Sequence, residues 1–89
     1  MATCVQNTSL AEFACGNRSS AFTVGGFQGT TAVGDSVVAR TQGTAVGASA
    51  QATTSASAFG AATFASGDSS VAIGGYNEAA ASNSIAIGY

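Results

Sequence analysis

Short apolar runs that end in glycine recur along the chain. The tetrads are Phe13-Ala14-Cys15-Gly16, Phe22-Thr23-Val24-Gly25, Thr31-Ala32-Val33-Gly34, Thr44-Ala45-Val46-Gly47, Ser57-Ala58-Phe59-Gly60, Val71-Ala72-Ile73-Gly74 and Ile85-Ala86-Ile87-Gly88. The second residue is Ala or Thr, and the third is always apolar. The glycines lie 9, 9, 13, 13, 14 and 14 residues apart. Three residues followed by a punctuating glycine make a short strand and a turn. A unit this short encloses no core of its own and must stack on copies of itself, so the pattern predicts an all-β solenoid.

A second signal sits at a fixed offset. Five residues after Gly34, Gly47, Gly60 and Gly74 stand Ala39, Ala52, Ala65 and Ala79, and Ala21 follows Gly16 at the same distance. Thr30 holds that offset from Gly25. A second short strand through these positions gives each coil two strands and two tight turns. The coils then run parallel and stack at about 4.8 Å, so seven of them make a rod of about 30 Å. The two 9-residue spacings are too short for such a coil. Residues 16–34 form either a compact end region or a stretch with another register, which Gly29 and Gly43, each followed by Thr, also offer.

Alternate residues of a strand face opposite ways. In Val71-Ala72-Ile73 and Ile85-Ala86-Ile87 the large side chains therefore share one face and the alanines the other. Filling a narrow interior with the larger face leaves Ala32, Ala45, Ala58, Ala72 and Ala86 as a flat outer surface, the expected subunit interface. Proline is absent, so every N–H can join a ladder.

Residues 1–12 carry no repeat and are expected to cap the rod, with 13–89 as the repeat domain. Cys4 and Cys15 are the only cysteines. One reading is a disulfide that staples the cap in an oxidising compartment. The other is two unpaired small apolar residues, Cys15 filling a strand position that Val or Ile fills elsewhere.

Composition narrows the function. Hydrophobic residues make up 46% of the 89-residue chain, but many are alanine, which buries little area. A single small copy is short of driving force, and self-association supplies it. Arg18 and Arg40 are the only basic residues, against Glu12, Asp35, Asp68 and Glu78. Two arginines make no basic footprint for nucleic acid. They are expected to pair with Glu12, Asp35 or a neighbouring subunit. No run of 18 apolar residues predicts a membrane helix, and no signal peptide is visible. Histidine and lysine are absent, so serine has no general base and no cofactor or metal is expected. The glycine-rich Gly25-Gly26-Phe27-Gln28-Gly29 and Gly74-Gly75-Tyr76 lack the strand–loop–helix setting of a phosphate loop and read as turns. Asp35 and Asp68 solvate turns, and Phe27, Tyr76 and Tyr89 lie in or beside turns, covering coil edges or anchoring a ligand.

Two segments carry a resemblance. Asn83-Ser84-Ile85-Ala86-Ile87-Gly88 and Ser69-Ser70-Val71-Ala72-Ile73-Gly74 resemble the Asn-Ser-Val-Ala-Ile-Gly head repeat of YadA-like trimeric autotransporter adhesins. The match extends over residues 30–89. The resemblance implies a left-handed parallel β-roll of 13–14-residue coils, assembled as a homotrimer at the tip of a bacterial outer-membrane fibre. It implies a non-enzymatic adhesin head that binds host extracellular matrix such as collagen and promotes autoagglutination. The motif residues Ser70, Val71, Ala72, Ile73, Gly74, Asn83, Ser84, Ile85, Ala86, Ile87 and Gly88 are then the candidate adhesion surface. Neck, stalk and anchor segments are not visible, and this stretch makes no direct membrane contact. The competing class is a solenoid that serves as a spacer or head-like module of a phage or surface fibre, or that binds ice, though Thr31 and Thr44 give way to Ser57, Val71 and Ile85, so no regular threonine array exists.

Overall fold

The computed structural model describes residues 4–7, 12–22 and 29–89. It contains twelve strands in two sheets. The first sheet runs in the order β1 (Cys4–Asn7), β2 (Glu12–Cys15), β4 (Thr30–Val33), β6 (Thr44–Val46), β8 (Ser57–Phe59), β10 (Val71–Gly74), β12 (Ile85–Gly88). The second runs β11 (Glu78–Ala79), β9 (Phe64–Ala65), β7 (Gln51–Ala52), β5 (Val38–Arg40), β3 (Ser20–Phe22). Every pairing is parallel except β1 with β2. The chain alternates between sheets, so each coil adds one strand to each, and six parallel strands in the first sheet bound five turns of a β-solenoid.

Register follows the tetrads. Ala14, Ala32, Ala45, Ala58, Ala72 and Ala86 stack as one column, and Ala21, Ala39, Ala52, Ala65 and Ala79 as another. The steps from Phe13 through Thr31, Thr44, Ser57 and Val71 to Ile85 are 18, 13, 13, 14 and 14 residues. The two 9-residue spacings are thus one long coil. Phe22 ends β3 in the second sheet, and Thr23–Gly25 lies outside the described residues. Thr31 pairs with Thr44, which rules out the alternative register through Gly29 and Gly43. All length variation falls in the turn that returns from the second sheet to the first. The turn leaving the first sheet is constant, four residues from each glycine to the next strand.

The alanine columns are the interior. Ala32, Ala39, Ala45, Ala58, Ala65 and Ala72 have no exposed surface. This reverses the expectation for Ala32, Ala45, Ala58, Ala72 and Ala86: they fill the coil and form no outer face. The reason is width. Two strands of two to four residues joined by short turns hold the sheets so close that a methyl group fills the gap. The shortest Cα extent of the molecule, turns included, is 11 Å, whereas ordinary face-to-face sheets already stand about 10 Å apart. A Val or Phe pointing inward would force the coil open.

The corners complete the core. One corner column holds Val37, Ala50 and Thr63, the other Thr30, Ala56 and Ser70, all buried. Two of these hydroxyl groups bend back to their own turn, Thr63 Oγ1 donating to Gly60 O at 3.2 Å and Ser70 Oγ to Gly67 O at 2.6 Å, while Thr30 Oγ1 accepts from Gln42 N–H at 2.9 Å. The turns are laddered like the strands. Ser36, Ser49, Ala62 and Tyr76 adopt φ of 56–61°, and their N–H groups donate to the carbonyls of Asn17, Asp35, Ala48 and Ala61 one coil earlier. Left-handed conformation costs a non-glycine residue about 1–2 kcal/mol. It is retained because it points each N–H along the stack, and a buried unpaired amide costs a comparable amount.

The tetrad glycines are a different case. Gly16, Gly34, Gly47, Gly60, Gly74 and Gly88 have φ between +124° and +134°, a region closed to side-chain-bearing residues. Each of the first five also presents its missing Cβ to the carbonyl of the next glycine in the column. A methyl on Gly34 would stand 2.6 Å from Gly47 O. Glycine therefore recurs for conformation and for close approach together.

Candidate assembly and adhesion surface

With alanine turned inward, the flanking residues of each tetrad turn outward. On the outer face of the first sheet one column reads Phe13, Thr31, Thr44, Ser57, Val71, Ile85. The adjacent column reads Cys15, Val33, Val46, Phe59, Ile73, Ile87, apolar at every level. Phe13, Phe59 and Ile73 are each 38–39% exposed, and Ile85 and Ile87 about 70%. An aliphatic and aromatic stripe running the length of a solenoid is not a solvent face. Contiguous apolar surface of this kind marks an interaction site.

The outer face of the second sheet is mixed. Ser20, Val38, Gln51, Phe64 and Glu78 form one column, and Arg40, Thr53, Ser66 and Ala80 lie in the next. The turns add polar and aromatic groups. Arg18 and Asp35 pair at 3.5 Å, as the charges suggested, but both are well exposed, and such a pair adds at most about 1 kcal/mol. Tyr76 and Tyr89 stack edge to face with centroids 5.8 Å apart. Phe27 lies outside the described residues.

The repeat motif does not form one surface. Val71, Ile73, Ile85 and Ile87 point outward, and Asn83 sits exposed in a turn at φ 62°. Ser70 and Ala72 are fully buried, Ala86 packs on the core, and Gly74 and Gly88 belong to the glycine column. Ser84 turns its hydroxyl inward, where it has no partner. Only the outward members can meet another molecule. The residues that sequence reasoning missed are Val33, Val46 and Phe59, the third tetrad positions of the central coils. The signal was present, since the third position is apolar in all seven tetrads, but it was assigned to the wrong side.

At the first coil, β1 runs antiparallel to β2 and places Cys4 opposite Cys15. Cys15 is disulfide-bonded, and among the described residues no free cysteine remains. Among the described residues no three His, Cys, Asp or Glu side chains gather to hold a metal ion.

The YadA head domain repeat matches the chain twice, over residues 54–77 and 65–89. Among curated proteins and among solved structures no match is found. The two matched stretches overlap and span the last coils, including the outward Val71, Ile73, Ile85 and Ile87 and the corner residues Thr63 and Ser70. The coils before them repeat the same column of alanines, glycines and outward apolar residues. Residues 54–89, the last coils of this solenoid, are YadA-like head repeats.

Proposed function

We propose that the chain is the head segment of a trimeric surface adhesin, in which three copies pack through the apolar outer face of the first sheet. The observation that carries this reading is the unbroken outward column Val33, Val46, Phe59, Ile73 and Ile87, whose valines are half-buried and whose last three members are exposed on a single copy. Burying such a stripe stabilises assembly by roughly 25 cal/mol per Å² of apolar area. The match to the head repeat supports a three-fold arrangement and an adhesin role at the bacterial surface.

In such a trimer the mixed outer face of the second sheet and the turns remain exposed, and these carry the ligand contacts. Host extracellular matrix, with collagen-type fibres foremost, is the ligand, and contacts between heads on neighbouring cells produce autoagglutination. Repeated weak sites on a stiff rod bind a repetitive polymer by avidity. The outward columns hold no regular threonine array, so ice binding is not favoured.

The test is binding of the chain to immobilised fibrillar collagen, read by surface plasmon resonance. Saturable binding that weakens stepwise as second-sheet and turn residues are replaced coil by coil supports the reading. No binding to collagen or to other matrix proteins, or complete loss from one substitution such as Phe64→Ser in a folded chain, refutes it.

A further inference from the structure

The two outward columns of the first sheet vary in size together. Ser57 is the smallest side chain of the first column and Phe59 the largest of the second, and both stand on β8. Phe13 is the largest of the first column and Cys15 the smallest of the second, and both stand on β2. At the other levels the two columns carry side chains of similar size, threonine beside valine, or valine and isoleucine beside isoleucine. The two aromatic members of this face thus each share a strand with the smallest member of the opposite column.

The bulk of Phe59 is not absorbed within its own copy. Phe59 is 38% exposed, and Ile73, which stands beside the larger Val71, is 39% exposed. A serine neighbour therefore leaves the ring no better covered than a valine neighbour leaves an isoleucine. The level of β8 carries a projection at Phe59 and, about 6.6 Å along the strand, a hollow over Ser57.

Symmetry says what fills the hollow. Rotation about an axis along the stack keeps each coil at its own level. Copies packed face to face around such an axis set the second column of one against the first column of the next, a heterologous contact that closes into a ring. Ser57 of the next copy then lies opposite Phe59. We propose that Phe59 of each copy seats over Ser57 of the next, that the next copy's Phe13 returns over Cys15 at the first coil, and that these two levels fix the vertical register of the assembly. The pairing rests on the three-fold packing proposed above and adds its contacting residues and its register. A slip by one coil sets Phe59 against Thr44 or Val71, where the larger side chain overfills the contact, and leaves the hollow over Ser57 unfilled. Without the two aromatic levels the coils are so alike that neighbouring registers would compete.

The experiment is a double-substitution cycle on the full chain. Ser57→Val and Phe59→Ile together give β8 the outward side chains of β10. Both positions point outward, so the variants keep the coil interior intact. Mass is read by light scattering over a wide range of concentration, and urea unfolding is followed by circular dichroism on samples diluted to single copies. Each single substitution is expected to raise the concentration for half-association by about tenfold or more, Ser57→Val by overfilling the contact and Phe59→Ile by leaving a void. The double variant should return to within about threefold of the intact chain. Unfolding of the single copy should show no such compensation. Single variants that associate like the intact chain, or a double variant as weak as the two effects combined, overturn the pairing. So does equal compensation in the unfolding of single copies, which would put Phe59 over its own Ser57. An intact chain that never exceeds single-protomer mass removes the three-fold packing and the pairing with it, whereas a trimer without compensation removes the pairing alone.

Discussion

Replacing Gly60 by alanine separates two costs that the glycine column combines. Gly60 has φ +124°, and a methyl there would stand 2.8 Å from the Gly74 carbonyl carbon, closer still to its oxygen. The conformational strain costs about 1–3 kcal/mol. Forcing a methyl into packed backbone costs about 1–3 kcal/mol more. Two other glycines isolate the parts. Gly29 has φ +95° but, among the described residues, nothing within 4 Å of a built Cβ, so Gly29→Ala carries strain alone. Gly67 has no positive φ, yet its Cβ would lie 2.9 Å from Ala80 O and nearer the Ala81 carbonyl, so Gly67→Ala carries overlap alone. Gly60→Ala should therefore lose about as much as the two others together, about 2–6 kcal/mol, from a total that for small domains is about 5–15 kcal/mol. At about 4–8 °C per kcal/mol for a chain of this size, its melting temperature falls by 8 °C or more. The assay is thermal and urea unfolding at one fixed protomer concentration, since association shifts the midpoint by mass action. A Gly60→Ala loss within about 0.5 kcal/mol of the Gly29→Ala loss, the spread of ordinary surface changes, would refute the close-approach argument.

Further expectations follow from the interior and the turns. Ala58→Leu overfills a fully buried column and should cost at least about 1–3 kcal/mol in urea unfolding; Phe59→Leu, one residue on but pointing outward, should leave the folded single copy nearly unchanged. Ser70→Ala removes a buried 2.6 Å hydrogen bond to Gly67 O and should lower stability by about 0.5–1.5 kcal/mol. Ala62 holds φ 58°, which asparagine tolerates better than alanine. Ala62→Asn should therefore raise the melting temperature, by part of the roughly 1–2 kcal/mol that the conformation costs.

Much of this architecture was legible from residue spacing. Glycine closing each tetrad and alanine five residues on placed both strands of every coil from β4 to β12, and Ala21 placed β3. What failed was polarity. A period-two pattern separates Val71 and Ile73 from Ala72 but does not say which side is inside. That depends on coil width, which the short turns set. The 9-residue spacings misled because the return turn of the first coil is long, and Phe22-Thr23-Val24-Gly25 mimics a tetrad there. β1 was invisible as a strand because Cys4–Asn7 lacks glycine punctuation, although the cysteine pair pointed to that end of the rod. The surface followed the polarity error. Ala32 and Ala45 were expected on the outer face, whereas Val33 and Val46, their neighbours, are the residues that point outward.

The central claim is that the outward stripe joins three copies, and its most direct test is the native mass of the oxidised chain beside that of Val46→Asp/Phe59→Asp. Light scattering after size exclusion should give three times the 8.5 kDa protomer mass for the intact chain. The double variant should give a single folded protomer, because buried unpaired carboxylates oppose association. An intact chain that stays a folded monomer at all concentrations, or a trimer that both aspartates leave untouched, would contradict the account.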